Sequence, residues 1–312
     1  MSADPFVLAS RVIAQQVRHL TVLLEQADDL AHDPLGGTPA RADFEHINNH
    51  TQQKDLLGLR WWAHKGAVLN LSSGAEHVRG LMAIVVSDQL MPLPAMTLGR
   101  AIYEAAFNTF WLMQPDVRTE QRVARWAGRL LHDSQEPPNA LDSFGETDVA
   151  EREKERVIEG RGLGQKLMRQ AGIELKLKGG DRSEETRLVT YQGEASLLTP
   201  KVTDQVARFT PNQQSLWPLL SGAAHSRGWL VEGLEGDAAT IWSSVLVPLL
   251  DVSDALVIEV CAYFGMDARP MVERTHLHRR TMLAQARPQQ QGMRAGWDAY
   301  REAGGAPTLP KR

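Results

Sequence analysis

The segment Thr97–Met113, with the sequence TLGRAIYEAAFNTFWLM, determines how this chain is expected to fold. Its apolar residues cover most sides of a helix with about 3.6 residues per turn, so we expect it at the centre of a helical bundle. The segment Ala238–Gly265 is apolar in the same way and is predicted to be a second central helix. It contains Asp251, Asp254 and Glu259, which are costly in lipid, so we interpret it as a buried helix rather than a membrane span.

Apolar residues recur at helical spacing along nearly the whole chain, whereas runs of alternating polar and apolar residues are scarce. This pattern predicts an all-α fold, a bundle of about six to nine helices. The predicted helices span approximately 5–31, 59–88, 95–113, 118–133, 146–171, 200–208, 211–220, 238–265 and 270–286. Residues 176–199 are predicted as a mobile insertion, mostly loop, with a short strand at Arg187–Tyr191.

These segments divide the 312 residues into three parts. Residues 1–58 are predicted to form an N-terminal helix and a linker, and residues 59–286 are predicted to form the main helical bundle. Residues 287–312 are predicted to be a partly disordered tail. The hydrophobic content of 43% is sufficient for a sizeable core.

The composition excludes several classes of function. A formal net charge of −4 and a pI near 6.2 give no overall attraction to nucleic acid or anionic membranes, so only a local basic patch could bind them. The single cysteine, Cys261, excludes an intrachain disulfide and a cysteine-based zinc site. We interpret it as a small buried hydrophobe, with a catalytic thiol as the alternative.

No metal site, cofactor site or targeting segment is predicted. His276 and His278 are two residues apart and would point in different directions on a helix. The glycines at 160–164 do not follow a predicted strand, as a dinucleotide-binding loop requires. The N-terminus lacks the basic and apolar regions of a signal peptide, which predicts a cytoplasmic protein. The large excess of arginine over lysine indicates a GC-rich bacterial genome.

Three polar residues form a stripe on the central helix. Arg100, Glu104 and Asn108 are spaced by four and therefore lie on one side of it. An arginine four residues before a glutamate is the weaker orientation for a pair within one helix, so we expect further partners elsewhere. Two interpretations remain open: a structural network of buried ion pairs, or a site for anion binding or catalysis.

A second polar group lies in Ser215–Trp229, SLWPLLSGAAHSRGW. Ser221 and His225 share one side if this segment is helical, and the small residues between them permit close approach of another helix or a ligand. Adjacent turns of one helix are a poor geometry for a serine nucleophile and its base. We therefore favour a His225 that hydrogen-bonds to Ser221 and to a buried carboxylate, for which Asp251 and Asp254 are candidates.

Four arginines form a ridge along the predicted helix 118–133, at positions Arg118, Arg122, Arg125 and Arg129. The ridge is either the solvated face of an exposed helix or a surface that contacts phosphate or RNA. The second interpretation makes Arg122 and Arg125 the candidate phosphate-binding residues.

Four motifs occur in a fixed order: Arg100-Ala-Ile-Tyr-Glu104, Trp111-Leu-Met-Gln-Pro115, Arg122-Val-Ala-Arg125 and Leu220-Ser-Gly-Ala-Ala-His225. This series resembles a group of bacterial all-helical proteins that share an RxxxE…WxxxP…RxxR…LSxxxH pattern over most of their length. The resemblance covers about Leu59–Phe264 and implies no particular biochemical activity. It does imply that the charged residues, the serine and the histidine of these motifs converge in space.

Some proteins of that group are distantly similar to the HEPN class, helical bundles whose ribonuclease members use an arginine and a histidine separated by four to six residues. Three pairs have this spacing: Arg41–His46, Arg125–His132 and Arg269–His276. His225 has no arginine at the required distance.

Two functions are therefore expected. The first is a helical binding or interaction module that acts through a polar Arg/Glu/His cluster, as a homodimer. The alternative is a metal-independent HEPN-like ribonuclease or toxin-type enzyme acting on RNA or another phosphate-bearing ligand. In that enzyme the catalytic residues would be Arg100, Glu104, Ser221 and His225, with His225 as general acid/base oriented by Glu104. In both cases Arg100, Glu104 and His225 are expected within one side-chain contact.

Overall fold

The computed structural model describes residues 5–51, 53–87, 91–134, 148–177, 186–211, 216–225 and 238–275. Most of these residues are helical, which confirms the predicted all-α bundle. The helices are α1 (Pro5–His32), α2 (Pro39–Asn48), α3 (Gln53–Val86), α4 (Pro92–Met113), α5 (Thr119–Asp133), α6 (Asp148–Gln170), α7 (Val202–Phe209), α8 (Leu216–Ala224) and α9 (Ala238–Phe264). A further helical segment occupies residues 269–275, and the remainder of the helix predicted there lies outside the described residues.

Helix α4 lies at the centre of the bundle, between α3 and α9. Its aromatic side chains Tyr103, Phe107 and Phe110 are at most 1% exposed, as a helix that is apolar on most sides requires. Val257 of α9 is 1% exposed, so the prediction that these two helices form the buried centre is confirmed for their described side chains.

Helix α1 belongs to the same hydrophobic core as the later helices. Val12, Ile13 and Leu23 are fully buried, and α1 packs against α3 and α9. The boundary predicted between residues 58 and 59 falls inside α3, which begins at Gln53. The predicted tail, 287–312, lies outside the described residues.

A three-stranded antiparallel sheet in the order β1-β2-β3 packs beside α5, with strands at Ile173–Leu177, Thr186–Tyr191 and Glu194–Leu197. Strand β2 confirms the short strand predicted at Arg187–Tyr191. Strand β3 also lies within the segment 176–199, where the sequence predicts loop. The difference has a local cause, because Gln192 and Gly193 have φ values of 47° and 86°, as the two-residue turn of a tight hairpin requires. Residues 178–185, also in that segment, lie outside the described residues.

The sheet approaches α5 closely at Gly128. A Cβ atom at this position would lie 2.8 Å from the carbonyl oxygen of Leu197, so only glycine fits without a shift of the backbone. Two side chains of β2 complete the contact, since Val189 and Tyr191 are at most 1% exposed. Helix α5 is therefore covered by the bundle on one side and by the sheet on another.

Helix α9 ends in a glycine turn beside the single cysteine. Gly265 has a φ of 79°, and the N–H of Met266 donates to the carbonyl of Cys261 at 2.8 Å, the pattern of a glycine C-terminal cap. Burial raises the pKa of the Cys261 thiol to about 11, which keeps it protonated at neutral pH. This supports the interpretation of Cys261 as a buried hydrophobe. Across the described ranges, no helix combines the length and the apolar character needed to span a membrane.

Candidate functional site

Arg100 of α4, Glu104 of α4 and His225 meet at the surface of the bundle. The Nε of Arg100 donates to Oε1 of Glu104 at 2.9 Å, and its Nη1 donates to Nε2 of His225 at 2.9 Å. The guanidinium also lies over the ring of Trp217, 5.6 Å from its centroid. We call these four residues the Arg100 cluster. The expected proximity of the arginine, the glutamate and the histidine is confirmed.

The packing of α8 on α4 positions this cluster. A Cβ atom at Gly99 would lie 2.9 Å from a methyl carbon of Leu249 in α9 and 3.2 Å from one of Leu220 in α8, so a side chain here would force both leucines to shift. Because the helices are close, Trp217 in the first turn of α8 and His225 just after its last residue both reach Arg100.

The hydrogen bond between Arg100 and His225 decides which ring nitrogen of the imidazole is the acceptor. A guanidinium has only donors, so the Nε2 of His225 must be the acceptor and the ring proton must be on Nδ1. The Nη2 group of Arg100 donates no hydrogen bond within the described part of the chain, so it can donate to a ligand. The cluster is also accessible, because the side chains of Arg100 and Glu104 are 25% and 45% exposed and His225 is exposed.

Ser221 lies one turn before His225 and is half-buried. The hydrogen bond that joins the two residues belongs to the helix backbone, from the N–H of His225 to the carbonyl of Ser221 at 3.1 Å. Asp254, one of the carboxylates considered for His225, accepts a hydrogen bond from the hydroxyl of Thr275 at 2.9 Å. This placement gives a serine nucleophile no support.

Arg122 is buried in a separate site. Its side chain is 2% exposed and that of Asp43 in α2 is fully buried, and the two form a bidentate ion pair with contacts of 2.7 and 2.8 Å. The remaining N–H groups of Arg122 donate to the carbonyls of Gln114 and Val117 and to the hydroxyl of Thr119. The guanidinium is therefore saturated, and this placement gives phosphate binding at Arg122 no support.

The ion pair of Arg122 continues into a buried chain of hydrogen bonds. The hydroxyl of Tyr263 donates to Oδ2 of Asp43 at 2.8 Å, and the Nε2 of His64 lies 2.9 Å from that hydroxyl. Because the tyrosine hydroxyl donates to Asp43, His64 must donate to it through Nε2–H. Burial is the main cause that holds the pKa of His64 well below its usual value and raises that of Tyr263, with Arg60 and Arg122 adding to the effect on His64.

Arg125 lies on the ring of Trp111, with its Cζ 4.0 Å from the centroid. Its Nη1 donates to Oε1 of Gln114 at 2.8 Å, and it is 5% exposed. Burial lowers its pKa to about 10, and its Nε lies buried without a hydrogen-bond partner in the described structure. Trp111 is eleven residues beyond Arg100 on α4, roughly 16 Å along the helix axis. The six predicted site residues therefore form two groups rather than one.

The other arginines of the ridge have their own partners. Arg118 pairs with Glu120 and Glu194, and Arg129 pairs with Asp133 and donates to Asn108 at 2.7 Å. The exposed-face interpretation is wrong for Arg122 and Arg125, because both are buried, Arg122 against Asp43 of α2 and Arg125 against Trp111 at the end of α4. The HEPN-type spacing at Arg41 and His46 does not join those side chains, which bond to Glu45 and Tyr191.

Two residues of these sites are absent from the sequence-based prediction. Asp43 follows Ala40 by three residues and precedes Ile47 by four, so a carboxylate stands on the apolar face of α2. That position signals a buried partner for an arginine. Trp217 gave no comparable signal, because a tryptophan in an apolar segment is ordinarily a core residue.

The described part of the chain contains no group of three or more histidine, cysteine, aspartate or glutamate side chains that could hold a metal ion. Comparison of the chain with protein-family models, with curated protein sequences and with solved structures gives no match. Functional inference therefore depends on the Arg100 cluster and its surroundings.

Proposed function

We propose that this protein is a helical binding module that holds a phosphate-bearing ligand at the Arg100 cluster. The observation that carries the proposal is an arginine fixed by three partners, Glu104, His225 and Trp217, while its Nη2 group forms no hydrogen bond within the described structure. A guanidinium held in one orientation loses little conformational freedom when it binds an anion. The module would act in the cytoplasm.

The exposure of the cluster favours a role in binding over a role in folding. An ion pair between side chains that are 25% and 45% exposed contributes only about 0–1 kcal/mol to stability. Arg122 shows the contrasting case, because it is buried and fully paired. We therefore expect the loss of Arg100 to change the stability of the fold little.

Phosphate is the anion that fits this arrangement best. Arginine presents paired N–H groups that match two oxygens of a phosphate, and such charge-assisted hydrogen bonds are about twice as strong as neutral ones. The half-buried ring of Trp217, already against the guanidinium, offers an aromatic surface for a nucleobase next to the phosphate. A short single-stranded RNA is accordingly the first ligand to test.

The test measures binding of a fluorescent single-stranded RNA and, by competition, of pyrophosphate. Arg100→Gln is expected to weaken RNA binding by about tenfold, because it removes a charged hydrogen bond of roughly 1.5–3 kcal/mol. Arg79→Gln is the matched control, since Arg79 is also an exposed helical arginine paired with a glutamate of its own helix, Glu76. Equal binding by wild type and Arg100→Gln would contradict the proposal.

A metal-independent ribonuclease is the second candidate, favoured by the exposed His225 beside Glu104 and Arg100. It is the weaker one, because Nε2 of His225 is occupied as an acceptor for Arg100 and would have to be released to act as a base. RNA cleavage in the presence of a chelator, lost in His225→Ala, would replace the binding proposal by this one.

The homodimer expected from the sequence also remains a proposal. Its support is α6, along which Val149, Ile158 and Leu163 are 69%, 52% and 58% exposed. Exposed apolar side chains grouped on one helix are typical of an interface. Light scattering that gives the mass of a single chain would contradict a dimer.

A further inference from the structure

A cavity of about 350 Å³ lies at the junction of α3, α5, α6 and β1. Its walls are mainly apolar, with Leu56, Leu59, Trp62, Leu130, Met168 and Ile173 among the lining residues. The volume falls at the lower end of the range of about 300–1,000 Å³ that is usual for small-molecule sites. None of the residues of the Arg100 cluster lines it, so the cavity is a separate site.

Two apolar side chains in the walls of the cavity are exposed to solvent. Trp61 and Leu167, both lining residues, are 57% and 36% exposed. The ammonium of Lys65 lies 4.9 Å from the centroid of Trp61, on the same side of α3. An open apolar cavity with a large exposed aromatic ring at its edge favours a ligand with an apolar body.

Positive charge predominates around the cavity. Lys54 is a lining residue, and its ammonium has no ion pair within the described residues. The half of α6 that forms a wall, residues 160–170, carries Arg161, Lys166 and Arg169 and no acidic residue. Among the described residues, the acidic side chains near the cavity are Asp55, which lines it beside Lys54, and Glu174, next to Ile173. The excess of cations favours an anionic end on the ligand.

We propose that this cavity binds a small amphipathic carboxylate, a medium-length alkyl acid, with its chain against Trp62, Met168 and Ile173. The carboxylate lies at the mouth, where Lys54 supplies the counter-charge. Burial of each methylene group drives the association, and the lysine selects the acid over a neutral molecule of the same length.

Gly164 provides the sharpest test, because it lines the cavity and a Cβ atom there would meet nothing within 4 Å. Gly164→Leu places its Cβ atom without a clash, improves helix propensity and is expected to occupy part of the cavity with its longer side chain. Gly160→Leu is the matched control: it lies one turn earlier on α6, is equally free of contacts and does not line the cavity. Thermal unfolding of both variants checks that the fold is retained.

Calorimetric titration with decanoate is expected to show binding to wild type and to Gly160→Leu, and binding about tenfold weaker to Gly164→Leu. Decanol should bind wild type about threefold more weakly than decanoate, and Lys54→Gln should remove that preference. Equal decanoate binding by the two glycine variants would overturn the cavity as the site. Equal binding of acid and alcohol to wild type would overturn the selection of a carboxylate. Arg100→Gln should leave decanoate binding unchanged, which separates this proposal from the one above.

Discussion

Replacement of Asp43 by asparagine leaves the guanidinium of Arg122 buried without a counter-charge. Both side chains are at most 2% exposed, so water cannot replace the lost carboxylate. Removal of one partner from a buried ion pair typically costs about 3–5 kcal/mol, because the remaining charge stays desolvated. The same substitution places an amide against the hydroxyl of Tyr263, which now donates to Oδ2 of Asp43 at 2.8 Å. We therefore expect Asp43→Asn to lower the free energy of unfolding by about 3 kcal/mol or more.

Urea unfolding followed by circular dichroism measures this change as a shift of the midpoint at constant slope. Glu76→Gln is the matched control, an acid-to-amide change in a pair whose side chains are 47% and 63% exposed, and it should cost about 0–1 kcal/mol. The double variant Asp43→Asn with Arg122→Met should be less destabilised than the sum of the single variants, because the stranded charge is removed. A loss below about 1 kcal/mol for Asp43→Asn would refute the assignment of this pair as a buried structural element.

Two further predictions concern the same region of the bundle. The pKa of His64 lies well below 6.5 in the folded protein, so the unfolded chain binds the extra proton first; the stability that His64 contributes is complete above pH 6.5 and is lost as pH falls below it. The difference in unfolding free energy between wild type and His64→Gln should therefore decrease below pH 6.5, by at most about 1.4 kcal/mol per pH unit, and a flat difference would contradict a buried neutral imidazole. Gly128→Ala should destabilise the protein by about 1–3 kcal/mol, because its Cβ would lie 2.8 Å from the carbonyl oxygen of Leu197; a melting temperature equal to that of wild type would show that β3 is not seated on α5.

The apolar pattern predicts the central helices well and the surroundings of α5 poorly. Helices α4 and α9 are apolar on most sides, and burial follows from that property alone. The ridge of arginines on α5 has the spacing of one helix face, but spacing does not reveal what covers the face. Arg122 is covered by α2, which supplies Asp43, and Arg125 is covered by Trp111 of α4, whereas the short sheet lies against Gly128. Strands of four to six residues carry too little periodicity to be recognised with certainty inside a polar segment.

Because spacing along a helix does not reveal what packs against it, the prediction of convergence at the candidate site was correct for Arg100, Glu104 and His225 and wrong for Arg122 and Arg125. Arg100 required a further partner, which the sequence placed in the segment around Ser221, and the structure shows His225 of that segment accepting from Arg100. The close helix contact beside it lies at Gly99 of α4, against Leu220 of α8. The prediction that Arg122 and Arg125 lie beside Arg100 was wrong. Arg125 contacts Trp111, which is eleven residues from Arg100 on α4, and the rise of the helix separates the two positions.

The contrast between Arg100 and Arg122 supplies the strongest argument for function. Both arginines pair with a carboxylate, and both contact an aromatic ring, Trp217 or Tyr263. Every N–H group of the Arg122 guanidinium donates to a protein acceptor and the side chain is buried, so its replacement should lower the free energy of unfolding. Arg100 lies at the surface and its Nη2 group forms no hydrogen bond within the described residues, so its loss should be visible in binding with little change in stability. Under the proposed function, Arg100 is held in position because it binds the phosphate of a ligand, and the expected small effect of its loss on stability agrees with that role.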